Sequence, residues 1–207
     1  MSAPPIRLVL ATANPDKVEE ISAILGDVAD GSFELIARPA HVPEVDETGE
    51  TLEENARLKA RALVAATGLP AVADDTGLEI HALGGAPGVY AARYAGEDAT
   101  YAQNVAKVLD DLHALGAESP VDRRARFRTV ALVAYPDGHE LVADGVVEGS
   151  IVEVGRGDGG FGYDPVFAPD DAPGLTFAEM TPADKHAISH RGRAFRALAV
   201  LLADGLA

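Results

Sequence analysis

A short apolar run, Leu8-Val9-Leu10-Ala11, leads directly to Asn14-Pro15, an N-cap residue followed by the proline that suits the first position of a helix. This junction constrains the local fold. It predicts a buried strand over Arg7 to Ala11, a polar loop, and a helix on which Val18, Ile21 and Leu25 share one apolar face until Gly26 stops it. Phe33 to Ala37 is a second strand candidate, followed by a loop from Pro39 to Gly49 rich in Pro, Asp and Glu. Thr51-Leu52-Glu53-Glu54 is a capping box, which predicts a helix from Leu52 to about Ala66. Asn55 and Lys59 lie one turn apart on it, on the same face. Pro70 to Ala73 and Leu78 to Leu83 read as two short strands, with Asp75-Thr76-Gly77 as turn chemistry between them.

The later part of the chain follows a different pattern. Tyr101, Val105, Val108, Leu109 and Leu112 have helical spacing. Arg126 to Tyr135 and Glu140 to Val154 read as long strands joined by the turn Pro136-Asp137-Gly138. A glycine-rich loop, Gly155 to Gly160, ends in Phe161-Gly162-Tyr163-Asp164-Pro165. Thr181 is placed to cap one helix and Ser189 another, the second carrying a core stripe of Phe195, Leu198 and Leu202. Alternating elements followed by a hairpin predict an α/β fold on a mixed sheet, within a single domain over residues 1–207.

Composition narrows the function. The apolar share is 47% and the charged share 24%, so the chain has the makings of a core. It has no cysteine, which removes disulfides, thiolate nucleophiles and cysteine–zinc sites and fits a reducing cytoplasm. The apolar run from Ile6 to Ala13 contains Arg7 and is too short for a membrane span, so no membrane role is expected. The net charge of −16 repels nucleic acid, and a nucleic-acid partner is not expected. The same charge repels a free nucleotide. A nucleotide substrate would need a divalent cation and a local cluster of Lys and Arg.

Two sites of the chain bring such groups into view. Thr12-Ala13-Asn14-Pro15-Asp16-Lys17 lies between a buried strand and a helix N-terminus, where exposed N–H groups and the helix dipole favour a phosphate. Lys17 adds a point charge. The alternative is an ordinary capped helix with a surface lysine. No Walker loop occurs. Asp74-Asp75 places two carboxylates side by side. On an extended chain they face opposite ways, so one can bind a metal or activate water while the other anchors the turn or acts from behind. The loop residues Glu44, Asp46, Glu47 and Glu50 could bring a second carboxylate close, and such hard oxygen ligands suit Mg²⁺. The alternatives are a polar turn and a solvated acidic surface.

Gly155-Arg156-Gly157-Asp158-Gly159-Gly160 formally contains G-x-G-x-x-G, but Phe161 to Pro165 does not open a helix, so a dinucleotide fingerprint is rejected. Phe161 could stack on a base or fill a core. Lys185, Ser189, His190 and Arg191 gather donors suited to an acceptor-rich ligand, or form a basic surface face.

In chain order, seven pieces stand in register: Thr12-x-Asn14-x-x-Lys17, Glu47-Thr48-Gly49, Glu54-Asn55-Ala56-x-x-Lys59-Ala60, Ala73-Asp74-Asp75-Thr76-Gly77-Leu78, Gly84-Gly85-Ala86-Pro87-Gly88-Val89-Tyr90, Phe161-Gly162-Tyr163-Asp164-Pro165 and Ser189-His190-Arg191-Gly192. This series closely resembles the inosine triphosphate pyrophosphatase family, from about Val9 to Leu202. The resemblance implies an elongated mixed sheet flanked by helices, a homodimer, and Mg²⁺-dependent cleavage of ITP, dITP and XTP into monophosphate and pyrophosphate. It implies Asp75 as proton acceptor and metal ligand, with Glu47 as a second ligand or supporting acid. It places Thr12, Ala13, Asn14, Pro15, Asp16, Lys17, Lys59 and Thr76 on the triphosphate. It places Phe161, Gly162, Tyr163, Asp164, Lys185, His190 and Arg191 on base and sugar. His190 and Arg191 donate, so they suit the C6 oxygen of a deaminated purine rather than the amino group of adenine. Built hydrogen bonds of this kind discriminate by about 10⁴.

Overall fold

The protein, as a computed structural model, is described over residues 5–29 and 33–204. In chain order the elements are strand β1 (Ile6–Leu10), helix α1 (Pro15–Ala29), β2 (Phe33–Ile36), α2 (Leu52–Thr67), β3 (Ala71–Ile80), β4 (Pro87–Gly88), α3 (Tyr101–Ala114), β5 (Arg124–Ala134), β6 (Glu140–Ile151), β7 (Phe167–Pro169), α4 (Pro182–Ile188) and α5 (His190–Asp204). The strands form a seven-stranded sheet in the order β2-β1-β3-β5-β6-β7, with β4 paired to β3. β1 runs parallel to β2 and β3, whereas β4 is antiparallel to β3 and β7 to β6. The expected mixed α/β sheet with helices is therefore what the chain builds. Among the described residues no helix is long and apolar enough to cross a membrane.

The chain divides into two compact units. The first comprises Met1–Asp75, Thr129–Gly145 and Arg191–Ala207, and the second Thr76–Arg128 and Val146–His190. In the first unit Leu8 and Leu10 of β1, Ile21, Ile24 and Leu25 of α1, and Phe195, Leu198 and Leu202 of α5 bury together. This is the apolar stripe expected of the last helix. Each fully buried Leu, Ile or Phe contributes about 1.5–3 kcal/mol. In the second unit Phe127, Phe167 and Phe177 form the aromatic centre, with the Phe127 and Phe167 rings 4.7 Å apart edge to face.

Local chemistry explains most boundaries. Thr51 accepts from the Glu54 N–H and the Glu54 carboxylate accepts from the Thr51 N–H, so the expected capping box opens α2. Gly68, at φ +68°, closes it. Thr181 caps α4 by accepting from Asp184. Three expectations fail. α1 does not stop at Gly26 but continues to Ala29, because Ile21, Ile24 and Leu25 are anchored in the core and packing outweighs one poor helix former. The segment around Asp74-Asp75 is not a strand–turn–strand. Residues 71–80 form one continuous strand, held at Ala71 and Val72 by β1 and at Leu78 and Glu79 by β4. Sheet pairing at both ends overrides the local turn preference of Asp-Thr-Gly. The expected strand over Leu78 to Leu83 stops at Ile80 and gives way to a 3₁₀ turn over His81–Leu83.

Candidate active site

In the first unit the sequence order places three elements around β3: the tip of α1, the N-terminal half of α2 and the start of α5. The Asn14 carboxamide Oδ1 accepts from the Asp16 N–H at 2.9 Å, and the Thr12 hydroxyl accepts from the Asn14 N–H at 3.1 Å. These bonds fix the loop and open the helix. Ala13, Pro15 and Asp16 are exposed there, and Thr12, Asn14 and Lys17 half-buried. Lys17 reaches inward, its Nζ 3.2 Å from Asp74 Oδ2. The helix tip and the acid pair, read separately from the sequence, are thus brought together.

Asp74 and Asp75 are both buried, at 2% and 5% exposure, and strand alternation turns them to opposite sides. Asp74 Oδ2 receives Arg191 Nη2 at 3.2 Å and Nε at 3.3 Å in addition to Lys17. Arg191 is itself buried and also pairs with Glu20 of α1. Burial opposes ionisation of Asp74, but Lys17 and Arg191 outweigh it and hold the carboxyl below the usual range. Burial is the largest influence on Lys17 and draws its ammonium down.

Asp75 meets different groups. Lys59 Nζ lies 2.8 Å from Asp75 Oδ1 and 2.8 Å from Glu47 Oε1, so one ammonium spans both carboxylates. The Asn55 side-chain N–H donates to Asp75 Oδ2 at 3.3 Å. Burial pushes the Asp75 carboxyl up, Lys59 draws it down, and the like charge of Glu47 pushes it up again; the net direction is upward. Burial also works against the Lys59 ammonium, yet Asp75 and Glu47 together carry it upward. Of the four acids in the preceding loop, Glu44, Asp46 and Glu50 are exposed and Glu47 is the half-buried one that reaches the site.

This pair of carboxylates fits a divalent cation. A side-chain cation already bridges them, and the donors are hard oxygens. Among the described residues no group of three or more His, Asp or Glu could hold a metal by itself. A two-carboxylate site suits Mg²⁺, which typically takes one or two carboxylates and completes its shell with water and substrate phosphates.

The second unit gathers another set. Thr76 continues β3 and is half-buried. After the glycine-rich loop no helix follows, as the rejection of a dinucleotide fingerprint requires. The loop instead closes on Asp164, whose Oδ2 accepts from the Phe161 N–H at 2.8 Å and from Lys185 Nζ at 2.6 Å. A Cβ on Gly160 would collide with that carboxylate, and Gly160 (φ +67°) and Gly162 (φ +63°) both adopt the left-handed conformation. Lys185 Nζ sits 5.0 Å from the centre of the half-buried Phe161 ring. Tyr163 is buried and donates its hydroxyl to the Ala91 carbonyl at 2.9 Å. His190 stacks on Phe127, centroids 4.4 Å apart and 16° from parallel. Lys185, Ser189, His190 and Arg191 are all buried, so the basic surface face is excluded.

Each expected residue thus falls into one of two sets. Residues 12–17, Glu47, Lys59, Asp75 and Arg191 belong to the first unit, and Thr76, residues 161–164, Lys185 and His190 to the second. His190 and Arg191, neighbours in sequence, have their partners in different units. The sequence alone assigns no role to Glu20 or Asn55. Glu20 had one signal, its place three residues after Lys17 on the same helix face. Asn55 had its shared face with Lys59.

The chain thus builds a mixed α/β sheet around a centre of buried acids and inward-reaching lysines, and comparison with known proteins specifies its family. The chain belongs to the Ham1 family, whose model matches residues 8–201. It is 47% identical to the dITP/XTP pyrophosphatase of Caulobacter vibrioides over 96% of this chain and 98% of that one. It is 48% identical to the dITP/XTP pyrophosphatase of Thermus thermophilus, over 97% and 93% respectively. Among solved structures, a HAM1 protein from Coxiella burnetii superposes with a TM-score of 0.84 at 42% identity, covering 96% of this chain and 99% of that one.

Proposed function

We propose that this chain is a nucleoside triphosphate pyrophosphatase of the nucleotide pool. It hydrolyses ITP, dITP and XTP to monophosphate and pyrophosphate with Mg²⁺, as a cytoplasmic homodimer. The observation that carries the reading is the Lys59 ammonium bridging Glu47 and Asp75 beside the α1 tip, in a chain nearly half identical to proteins named dITP/XTP pyrophosphatase.

Glu47 and Asp75 would hold the cation, which neutralises phosphate charge and acidifies a water when bound. The chain's own groups do the rest. Asp75 takes the proton of the attacking water. One phosphorus–oxygen bond forms to that water, the α–β anhydride bond breaks, and pyrophosphate carries away the electron pair. Lys59, Lys17 and the α1 N–H groups meet the charge of the departing group. Asp74 takes no part in the proton transfer; it holds Lys17 and Arg191 in place.

For the base, Phe161 offers a stacking face, with Lys185 and Asp164 fixing its loop. His190 and Arg191 are the proposed donors to the C6 oxygen, and the acids around Arg191 fix its guanidinium plane. Adenine presents an amino donor there and would be refused.

A panel of ITP, dITP, XTP, GTP and ATP, read separately for pyrophosphate and orthophosphate, tests the whole reading. Pyrophosphate should be released from the first three, in the presence of Mg²⁺. Orthophosphate as the product would indicate a phosphomonoesterase instead. Tight binding without product would indicate a sensor. Equal rates on ATP and ITP would refute the base selection.

A further inference from the structure

Asn55 is completely buried on α2, one turn before Lys59, and its carboxamide faces two ways. Its N–H group donates to Asp75 Oδ2 at 3.3 Å, and its Oδ1 accepts from the backbone N–H of Gly49 at 2.8 Å. Two residues before Gly49 stands Glu47, which shares Lys59 with Asp75. The next part of the loop is tied down by Glu54, whose Oε2 accepts from the N–H groups of Glu50 at 2.7 Å and Thr51 at 3.2 Å. Of these two ties, the one through Asn55 extends to Asp75.

Gly49 shows that the approach is built in. A Cβ there would lie 2.6 Å from Glu54 Cβ and 2.7 Å from Asn55 Oδ1, closer than side chains pack. The glycine makes room for the carboxamide. An amide is also the group that this position needs. It offers a donor and an acceptor without charge, whereas an acid would set a third carboxylate beside Asp75 and Glu47. With Oδ2 occupied by Asn55, Asp75 turns Oδ1 toward the cation that it shares with Glu47.

We propose that Asn55 is a positioning residue. Its carboxamide sets the spacing of Glu47 and the orientation of Asp75, and Gly49 is the glycine that this tie requires. The inference rests on Glu47 and Asp75 being the cation-holding pair of the proposed function. Outer groups that orient metal ligands typically govern affinity by about 10–100-fold.

The test compares Asn55→Ala, Asn55→Asp and Gly49→Ala with the unaltered chain. Three quantities are read: pyrophosphate release from dITP against Mg²⁺ concentration, amide hydrogen exchange across residues 47–50, and the thermal midpoint. Asn55→Ala should lose protection at the Gly49 amide and need about 10–100-fold more Mg²⁺ for half-maximal rate, with KM for dITP changing less. Gly49→Ala should move the same two readouts although it removes no polar side chain. Asn55→Asp keeps the acceptor for Gly49 and so keeps the protection, but loses the donor to Asp75 and should lower kcat. Folded variants with a reduced thermal midpoint but the original Mg²⁺ requirement and kcat would reduce Asn55 to a structural role. If Asn55→Ala does not fold, the equal-sized Asn55→Asp decides. An unaltered chain that releases no pyrophosphate would refute the proposed function instead. The exchange readout would then decide the tie alone, and unchanged protection at Gly49 in Asn55→Ala would overturn it.

Discussion

Asp74 and Asp75 are adjacent on one strand and equally buried, yet they are held in opposite ways. Asp74 faces two cations, Lys17 and Arg191, with Glu20 balancing the second. Asp75 faces one cation that it must share with another acid. The first carboxylate is over-compensated and fixed as an anion; the second is under-compensated and pushed upward by burial and by Glu47. Strand alternation alone makes this division possible, because a two-residue period puts neighbours on different faces. The lesson is that an acid pair in sequence need not be an acid pair in chemistry. One member is a counter-ion for the helix tip, and the other is the proposed proton acceptor and metal ligand.

Three substitutions probe that contrast. Asp75→Asn removes the proposed proton acceptor and should cost about 10²–10⁴-fold in kcat, the range of general-base catalysis. Its circular dichroism and thermal midpoint should stay close to those of the parent. Normal turnover in this variant would dissolve the distinction. Asp74→Asn should act on stability first. Removing one partner of a buried ion pair leaves charge uncompensated and costs about 3–5 kcal/mol, read as a fall in the urea midpoint. Unchanged stability would mean that Lys17 and Arg191 do not depend on it. Lys59→Met leaves Glu47 and Asp75 facing each other with no side-chain cation between them. It should slow turnover by about 10²–10³-fold, as removal of one charge-stabilising donor does, and an unchanged kcat would free Lys59 from the leaving-group role.

Much of this is legible in the amino-acid sequence. The capping residues Thr51 and Thr181 act on their own neighbours within three positions, and local chemistry of that range survives folding. The stripe Phe195, Leu198 and Leu202 and the first strand were readable for the same reason. The centre was legible in part. Lys59 and Asn55 share a helix face, and Asp74-Asp75 announces itself. What stayed hidden depends on distant pairing. Asp-Asp-Thr-Gly favours a turn, and pairing with β1 and β4 at its two ends, with β5 as a further neighbour of the strand, keeps it extended. Glu20 shares a helix face with Lys17, but its partner Arg191 is 171 positions away. Arg191 reaches Asp74 across 117 positions. No local signal carries that information.

A third carboxylate sharpens the contrast from the solvent side. Asp111 on α3 accepts from the Tyr94 hydroxyl at 2.6 Å and lies 3.0 Å from Lys107 Nζ. Like Asp74 it is drawn below its ordinary value, first by the tyrosine hydrogen bond; burial opposes this next, and the lysine adds to the downward pull. Burial and the same bond push the Tyr94 hydroxyl up to about 12. A carboxyl whose value is lower in the folded chain stabilises it above the unfolded value, near pH 3.9, and that contribution fades as pH falls below it. Asp111→Asn should therefore reduce stability at pH 7 and converge with the parent toward pH 3. With its side chain 31% exposed, solvent screening keeps the difference under about 1 kcal/mol. Urea unfolding of both proteins at the two pH values measures it. A gap that persisted at pH 3 would mean that packing against Tyr94, rather than charge, accounts for the effect. Asp111 would then share only its direction of shift with Asp74.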